Sequence, residues 1–254
     1  MSAASRVSGK VHKWLALVMA VPILFWFISG LFFAVFPIEK VRSEHLIAKA
    51  APVPIAISEA GDGLRRIAAQ GAVSGEKIEL RTMLGQPVAL VSSGEGRPRL
   101  YLLRSGRQLS PISASLAAVI AERDHAGDQR ARRVEMVTEE STEYRGALPA
   151  WRVDFDDGAN RALYVAADTG VVTARRSTLW RTFDFLWSLH ILDFKNHEDF
   201  NTPLLIIATA LALVVIFTGL VMFPSRLGYN SWRRRRRLAR QRAESAPSIS
   251  VPAE

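Results

Sequence analysis

The chain has 254 residues, a formal net charge of +9 and no cysteine. The missing thiols exclude disulfides, thiolate zinc sites and cysteine nucleophiles. Pro37 to Asn201 holds 22 basic and 22 acidic residues, so the whole positive excess lies at the two ends of the chain. A nucleic-acid-binding domain carries its basic patch on its folded surface, and this placement argues against nucleic acid as a partner.

Residues 1–13 lead into an uncharged run from Trp14 to Phe36, and a second such run extends from Pro203 to Phe223. Each supplies the roughly 20 apolar residues that an α-helix needs to cross ~30 Å of hydrocarbon. The expected transmembrane helices are therefore 14–36 and 202–223, with Pro22 a tolerable kink inside the first. Arg6, Lys10 and Lys13 precede the first span; Arg226, Arg233 to Arg237, Arg240 and Arg242 follow the second. The positive-inside rule then puts both termini in the cytoplasm and residues 37–179 outside it. In a Gram-negative cell this is a two-span inner-membrane protein with a periplasmic domain. Ala48-Lys49-Ala50 resembles a signal-peptide cleavage site, but the apolar run is too long and Glu39, Lys40, Arg42 and Glu44 intervene. Residues 224–254, Arg-rich and then Ser/Pro/Ala-rich, read as a disordered cytoplasmic tail resting on anionic lipid headgroups.

The segment between the spans repeats itself, with units at about 53–111 and 112–176. The first has a helical stretch, Ser58 to Gln70, then strand-like alternation at Lys77 to Met83, Val88 to Ser92 and Leu100 to Leu103. The second has a helix at Ser113 to Glu122, then strands at Arg133 to Thr138, Trp151 to Phe155 and Leu163 to Ala166. Each third strand opens with Leu-Tyr and an aliphatic residue, and each then reaches a hydroxyl residue and glycine, Ser105-Gly106 and Thr169-Gly170. Glycine there supplies the positive φ of a tight turn. Asp156-Asp157-Gly158 marks another turn. The helix-then-meander order predicts an α+β domain with helices packed on an antiparallel sheet.

Pro149 to Phe155, followed by Tyr164-Val165 and Asp168-Thr169-Gly170, resembles a PepSY domain, and the first unit resembles a degenerate copy. His12-Lys13-Trp14-Leu15 and Leu189 to Phe194 resemble the PepSY-associated transmembrane (PepSY-TM) family. The resemblance implies tandem PepSY-like helix-plus-sheet units inserted between two transmembrane α-helices. It also implies two kinds of function. Some family members are inner-membrane reductases of siderophore-iron uptake, some carrying haem b; soluble PepSY domains are associated with peptidase propeptides and regulation. This chain has only two spans, so a complete electron path within one copy is not expected.

Of five histidines, His45 lies in a charged linker and His125 in a charged stretch expected to be solvent-exposed. His12 marks the cytoplasmic entrance of the first span; His190 and His197 precede the second. Residues 180–194 read as an interfacial amphipathic helix, with Trp180, Phe183, Trp187, His190, Ile191 and Phe194 on one apolar face. A neutral imidazole among aromatics is what axial ligation of haem requires. On one helix, His190 and His197 would stand ~10.5 Å apart, too far for one iron. The partner histidine is then expected from a second copy, in a homodimer or a larger membrane complex. Ala208 and Ala212 offer a small-xxx-small surface for such packing. Against this stands the reading of all three histidines as interfacial anchors. Asp193 is either a second-shell partner or a helix terminator.

The carboxylates Glu139, Glu140, Glu143, Asp154, Asp156 and Asp157 read as solvated turn charges. No phosphate loop, serine elbow or zincin signature is present. Two functions therefore compete. One is a haem-binding component of ferric-siderophore reduction or transmembrane electron transfer. The other is a non-catalytic anchored module that binds a periplasmic enzyme or assembly partner.

Overall fold

The computed structural model describes residues 3–48, 53–70, 75–94, 96–226 and 235–241. The order is α1 (Ala3–Val35), α2 (Ile38–Val41), a 3-10 turn (Glu44–Leu46), α3 (Ile57–Ala69), β1 (Lys77–Met83), β2 (Gln86–Ser92), β3 (Arg99–Leu102), α4 (Ala114–Asp124), β4 (Ala131–Val137), β5 (Ala150–Phe155), β6 (Ala162–Ala166), β7 (Val172–Arg176), α5 (Thr178–Ile191) and α6 (Pro203–Arg226). Gly9–Val35 and Pro203–Phe223 are long and apolar enough to cross a membrane. Residues 235–241 of the expected disordered tail are helical and exposed; residues 227–234 and 242–254 lie outside the described residues.

The chain divides into two compact units. The first comprises residues 1–29, 189–194 and 198–254, and is built on the pairing of α1 with α6. Met19, Ala208, Ala212 and Leu192 are buried together there, flanked by Ile23, Trp26 and Leu205. The small-residue surface expected to receive a second copy is thus filled by Met19 and Leu192 of the same chain. Small side chains at this spacing let another element approach the helix closely, and here that element is internal. Thr202 Oγ1 accepts the Leu205 N–H at 3.2 Å, capping α6 ahead of Pro203 at its first turn.

The second unit, residues 30–188 with 195–197, holds two antiparallel sheets, β1-β2-β3 and β4-β5-β6-β7. Their faces follow the two-residue period of a strand. Val88 and Leu100 of the first sheet join Ala117, Ile120 and Ala121 of α4 in a single core. Val153, Phe155, Leu163 and Val165 of the second sheet complete it. The alternate residues of the first sheet, Ala89, Val91, Tyr101 and Leu103, pack instead on Ile67 of α3. β2 is apolar on both faces, so Val88 to Val91, expected to alternate, is instead a continuous apolar run. Ser113 caps α4 by accepting from the Leu116 N–H at 3.2 Å.

The repeat is physical. Leu100 and Leu163 both enter the shared core, while Tyr101 and Tyr164 both point away from it. Both turns close in the same way, Gly106 N–H to Leu102 O and Gly170 N–H to Ala166 O, each at 2.8 Å. The glycines carry φ of +73° and +68°. The one-residue difference in spacing lies within β6, ahead of Ala166, where the pairing with β7 shifts register between Tyr164 and Val165. A strand absent from the sequence reading, β7, follows the second turn; after the first, only a Tyr101–Gln108 bridge stands in its place.

His125 is buried at 6% exposure, against expectation. Its Nε2 pairs with Gln129 Oε1 at 2.9 Å and its ring packs 5.5 Å from that of Phe155. Its polar sequence neighbours concealed a tertiary aromatic contact.

Two glycines of α3 separate packing from propensity. A Cβ on Gly63 would come within 2.5 Å of Leu103 Cδ2 and 2.9 Å of its carbonyl oxygen; a Cβ on Gly61 meets nothing. Gly63→Ala is expected to destabilise the domain by about 1–3 kcal/mol through overpacking. Gly61→Ala is expected to stabilise it by about 0.5–1 kcal/mol. Chemical denaturation of the full chain in mild detergent reads both signs.

Candidate functional site: two hydroxyl-held imidazoles

At one end of the helix pair, His12 of α1 lies against Thr218 and Gly219 of α6. His12 Nδ1 is 2.9 Å from Thr218 Oγ1. A hydroxyl has one hydrogen, and Thr218 directs its own to the carbonyls of Val214 at 2.7 Å and Val215 at 3.0 Å. The oxygen is left to accept, so the imidazole donates Nδ1–H. Gly219 permits this approach, since a Cβ there would stand 3.2 Å from His12 Cε1.

The other end repeats the arrangement with different residues. His190, in the last turn of α5, places Nδ1 2.8 Å from Ser29 Oγ. Ser29 is fully buried in α1 and gives its hydrogen to the Phe25 carbonyl at 2.5 Å. By the same reasoning His190 donates Nδ1–H, and Nε2 carries the lone pair. Trp26 Nε1 donates to the His190 carbonyl at 2.7 Å, fixing the backbone as well. Burial holds the His190 imidazole below its ordinary pKa, favouring the neutral form.

Beyond Ile191 the chain turns through Leu192 at φ +53°. Asp193, 6% exposed, then accepts the N–H groups of Glu198 and Asp199, each at 3.0 Å. Asp193 thus organises the loop that ends α5. Phe194, expected on the helix face, lies past the helix end and is 57% exposed. His197 sits at φ +60° in the other unit, with Nδ1 2.6 Å from Asp184 Oδ2. Trp187 Nε1 donates to its carbonyl at 3.1 Å. Phe183 and Trp187 of α5 pack with Phe33, their ring centroids 4.9 and 5.9 Å from it.

The donor chemistry fits haem ligation: a metal-bound histidine characteristically donates its other ring N–H to a fixed acceptor, which sets tautomer and orientation. His12 and Ser29 are separated along α1 by ~25 Å at 1.5 Å per residue. One chain therefore presents one such imidazole at each end of the pair and does not bring His12 and His190 together. Among the described residues no group of three metal-ligating side chains exists.

Sequence reasoning missed a second constellation. Glu143, read as a solvated turn charge, pairs with Arg152 at 2.8 Å and with Arg181 at 2.5 Å. Asp157, with a fully buried side chain, pairs with Arg161 at 2.5 Å and accepts from the Ala159 N–H at 3.0 Å. Tyr164 stacks on Tyr144 with centroids 4.4 Å apart, and its hydroxyl is 3.3 Å from Glu143. Burial and the Glu143 carboxylate together push the Tyr164 phenol up to about 12. Above this layer opens a cleft of about 570 Å³, lined by Arg132, Arg133, Arg152, Arg161 and Arg181 with Asp154. Only the strand pairing that brings loop 139–146 onto β5 and β6 assembles these residues, so no local motif could reveal them.

Two helices of membrane-spanning length, an α+β domain of paired helix–sheet repeats between them in sequence, and histidines locked at both ends of the helix pair define a membrane protein of the PepSY type. Residues 10–245 match the family described as the PepSY-associated TM region, and the chain belongs to it. No curated protein and no solved structure matches it.

The depressed basicity of His190 makes a sign-definite prediction. Its folded-state pKa lies below the ~6.5 of an unstructured histidine, so the unfolded chain binds the proton more tightly. Stability is full above that pH and falls as pH drops through the folded value. Denaturation midpoints in detergent should therefore decline below about pH 6.5, and His190→Gln should flatten that decline.

Proposed function

We propose that this protein is a haem-binding electron-transfer component of the inner membrane, acting in reduction of ferric-siderophore iron or of a periplasmic partner. The observation that carries this reading is the matched pair of imidazoles. At each end of one helix pair a histidine holds Nδ1 against a hydroxyl of a spanning helix, which leaves Nε2 as the ring nitrogen available to a ligand. Bound haem b would supply one-electron cycling of its iron, which no side chain of this cysteine-free chain provides. His12 and His190 bind and orient; Thr218 and Ser29 fix the tautomer; Trp26 holds the His190 backbone.

Because each face receives one imidazole per chain, two copies forming a four-helix bundle would together supply two imidazoles to hold a haem at each face. In this reading His197, oriented by Asp184, would not hold the haem and serves the docking surface. The basic ends support a cytoplasmic location for both termini and a periplasmic one for the α+β domain.

The rival function is a non-catalytic anchored module that binds a periplasmic protein. It is favoured by the fact that every one of the three imidazoles already has a partner in its own chain.

Purification in mild detergent with haem supplied during expression, followed by oxidised and dithionite-reduced visible spectra, separates the two. The haem reading expects a Soret band with sharpened α and β bands on reduction. His190→Ala and His12→Ala should each remove one of two haem signals, and Ser29→Ala should shift the midpoint potential of the outer one. A folded, monodisperse and colourless wild-type preparation would overturn the proposal and leave the binding module.

A further inference from the structure

We propose that the arginine-lined cleft of the α+β domain is a binding site for a small multivalent oxyanion, one bearing carboxylate or phosphate groups. The site lies wholly within one unit and stands independently of haem ligation.

The cleft is built by an irregularity in β4. Ala131 pairs with Phe155 and Arg133 with Asp154, so Arg132 is an extra residue without a partner across the ladder. In a regular strand Arg132 and Arg133 would point to opposite faces of the sheet. The bulge instead lets both line the same cavity. Arg161, next to the β5–β6 turn, and Arg181, in the first turns of α5, stand in the same cavity, with Arg152 of β5. Five arginines thus line the cavity, and Asp154 is the one carboxylate among its lining residues.

The arginines divide into two sets. Arg152, Arg161 and Arg181 are held by Glu143, Asp154 and Asp157, which fix their planes and keep them in place without a ligand. Arg133 reaches Glu135 on the exposed surface. Arg132 is exposed and makes no ion pair or hydrogen bond with any described residue. The buried Nε–H of Arg161 also finds no acceptor. A guanidinium carries five N–H donors in a rigid fork that matches a carboxylate or a phosphate in bidentate fashion. The donors of these arginines exceed the acceptors that the protein provides. A volume of about 570 Å³ suits a small molecule. Carboxylates of the domain pair with the other four arginines, which leaves the Arg132 guanidinium for an entering anion.

Isothermal titration of the full chain in detergent, at constant ionic strength set with chloride, tests the proposal with citrate and pyrophosphate as probes. Saturable binding of one equivalent per chain is expected for at least one of them. The tighter probe identifies the group as carboxylate or phosphate. Arg132→Ala should weaken binding several-fold, and the Arg132→Ala/Arg133→Ala double variant by at least tenfold. Both side chains are exposed, so the denaturation midpoint should stay unchanged and report an intact fold. Absence of saturable binding by either probe overturns the proposal. So does equal affinity in wild type and the double variant, which would assign the anion to the arginine-rich tail.

Discussion

A hydroxyl group inside a membrane-length helix has a single hydrogen, and in apolar surroundings the helix itself takes it. Ser29 gives its proton to Phe25 and Thr218 gives its proton to Val214, so each oxygen can serve a neighbour only as an acceptor. That constraint fixes the chemistry of whatever approaches. His190 and His12 then donate through Nδ1, which leaves Nε2 as the nitrogen free of that contact. The helix pair then acquires a polar clasp at each end, with Met19, Ala208 and Ala212 packed between them. Lipid offers no hydrophobic drive for helix association, so close packing and such hydrogen bonds are what hold α1 to α6.

The domain between the spans in sequence depends on a different economy. Neither repeat closes a core alone. Val88 and Leu100 from the first sheet and Val153, Phe155, Leu163 and Val165 from the second meet on α4, so the two units fold as one domain. The degenerate first unit lacks a full fourth strand and covers its outer face with α3 instead. The better-formed second unit keeps β7, and its outer face turns polar, with Tyr144, Tyr164 and the Glu143 cluster where the first unit has aliphatic side chains. The repeats have thus diverged in what they leave open, one face closed by a helix and the other lined with arginine.

That divergence explains the uneven reach of sequence reasoning. The strand Lys77–Met83 and the turns at Gly106, Gly158 and Gly170 were legible because period-two alternation and positive-φ glycine are local properties. The fourth strand, Val172–Arg176, was not, because three of its five residues are Thr or Arg and its place is set by pairing with β6. The burial of His125 and the roles of Glu143 and Asp157 escaped for a related reason. Charged neighbours in sequence suggest solvent, whereas Phe155 covers His125, and Arg152 and Arg181, 9 and 38 residues away, supply the counter-charges of Glu143.

By itself the sequence determined the two spans, the neutral domain between them, the repeat, the family and the three histidines beside the spans. Length, hydropathy and charge placement act along the chain, and so can be read along it. Only the tertiary structure decided which hydroxyls receive those imidazoles, that Ala208 and Ala212 pack within one chain, and that five arginines share one cleft. Each of these is a contact between residues distant in sequence, fixed by helix pairing or by strand register. Proton direction and charge convergence exist only once those surfaces have met.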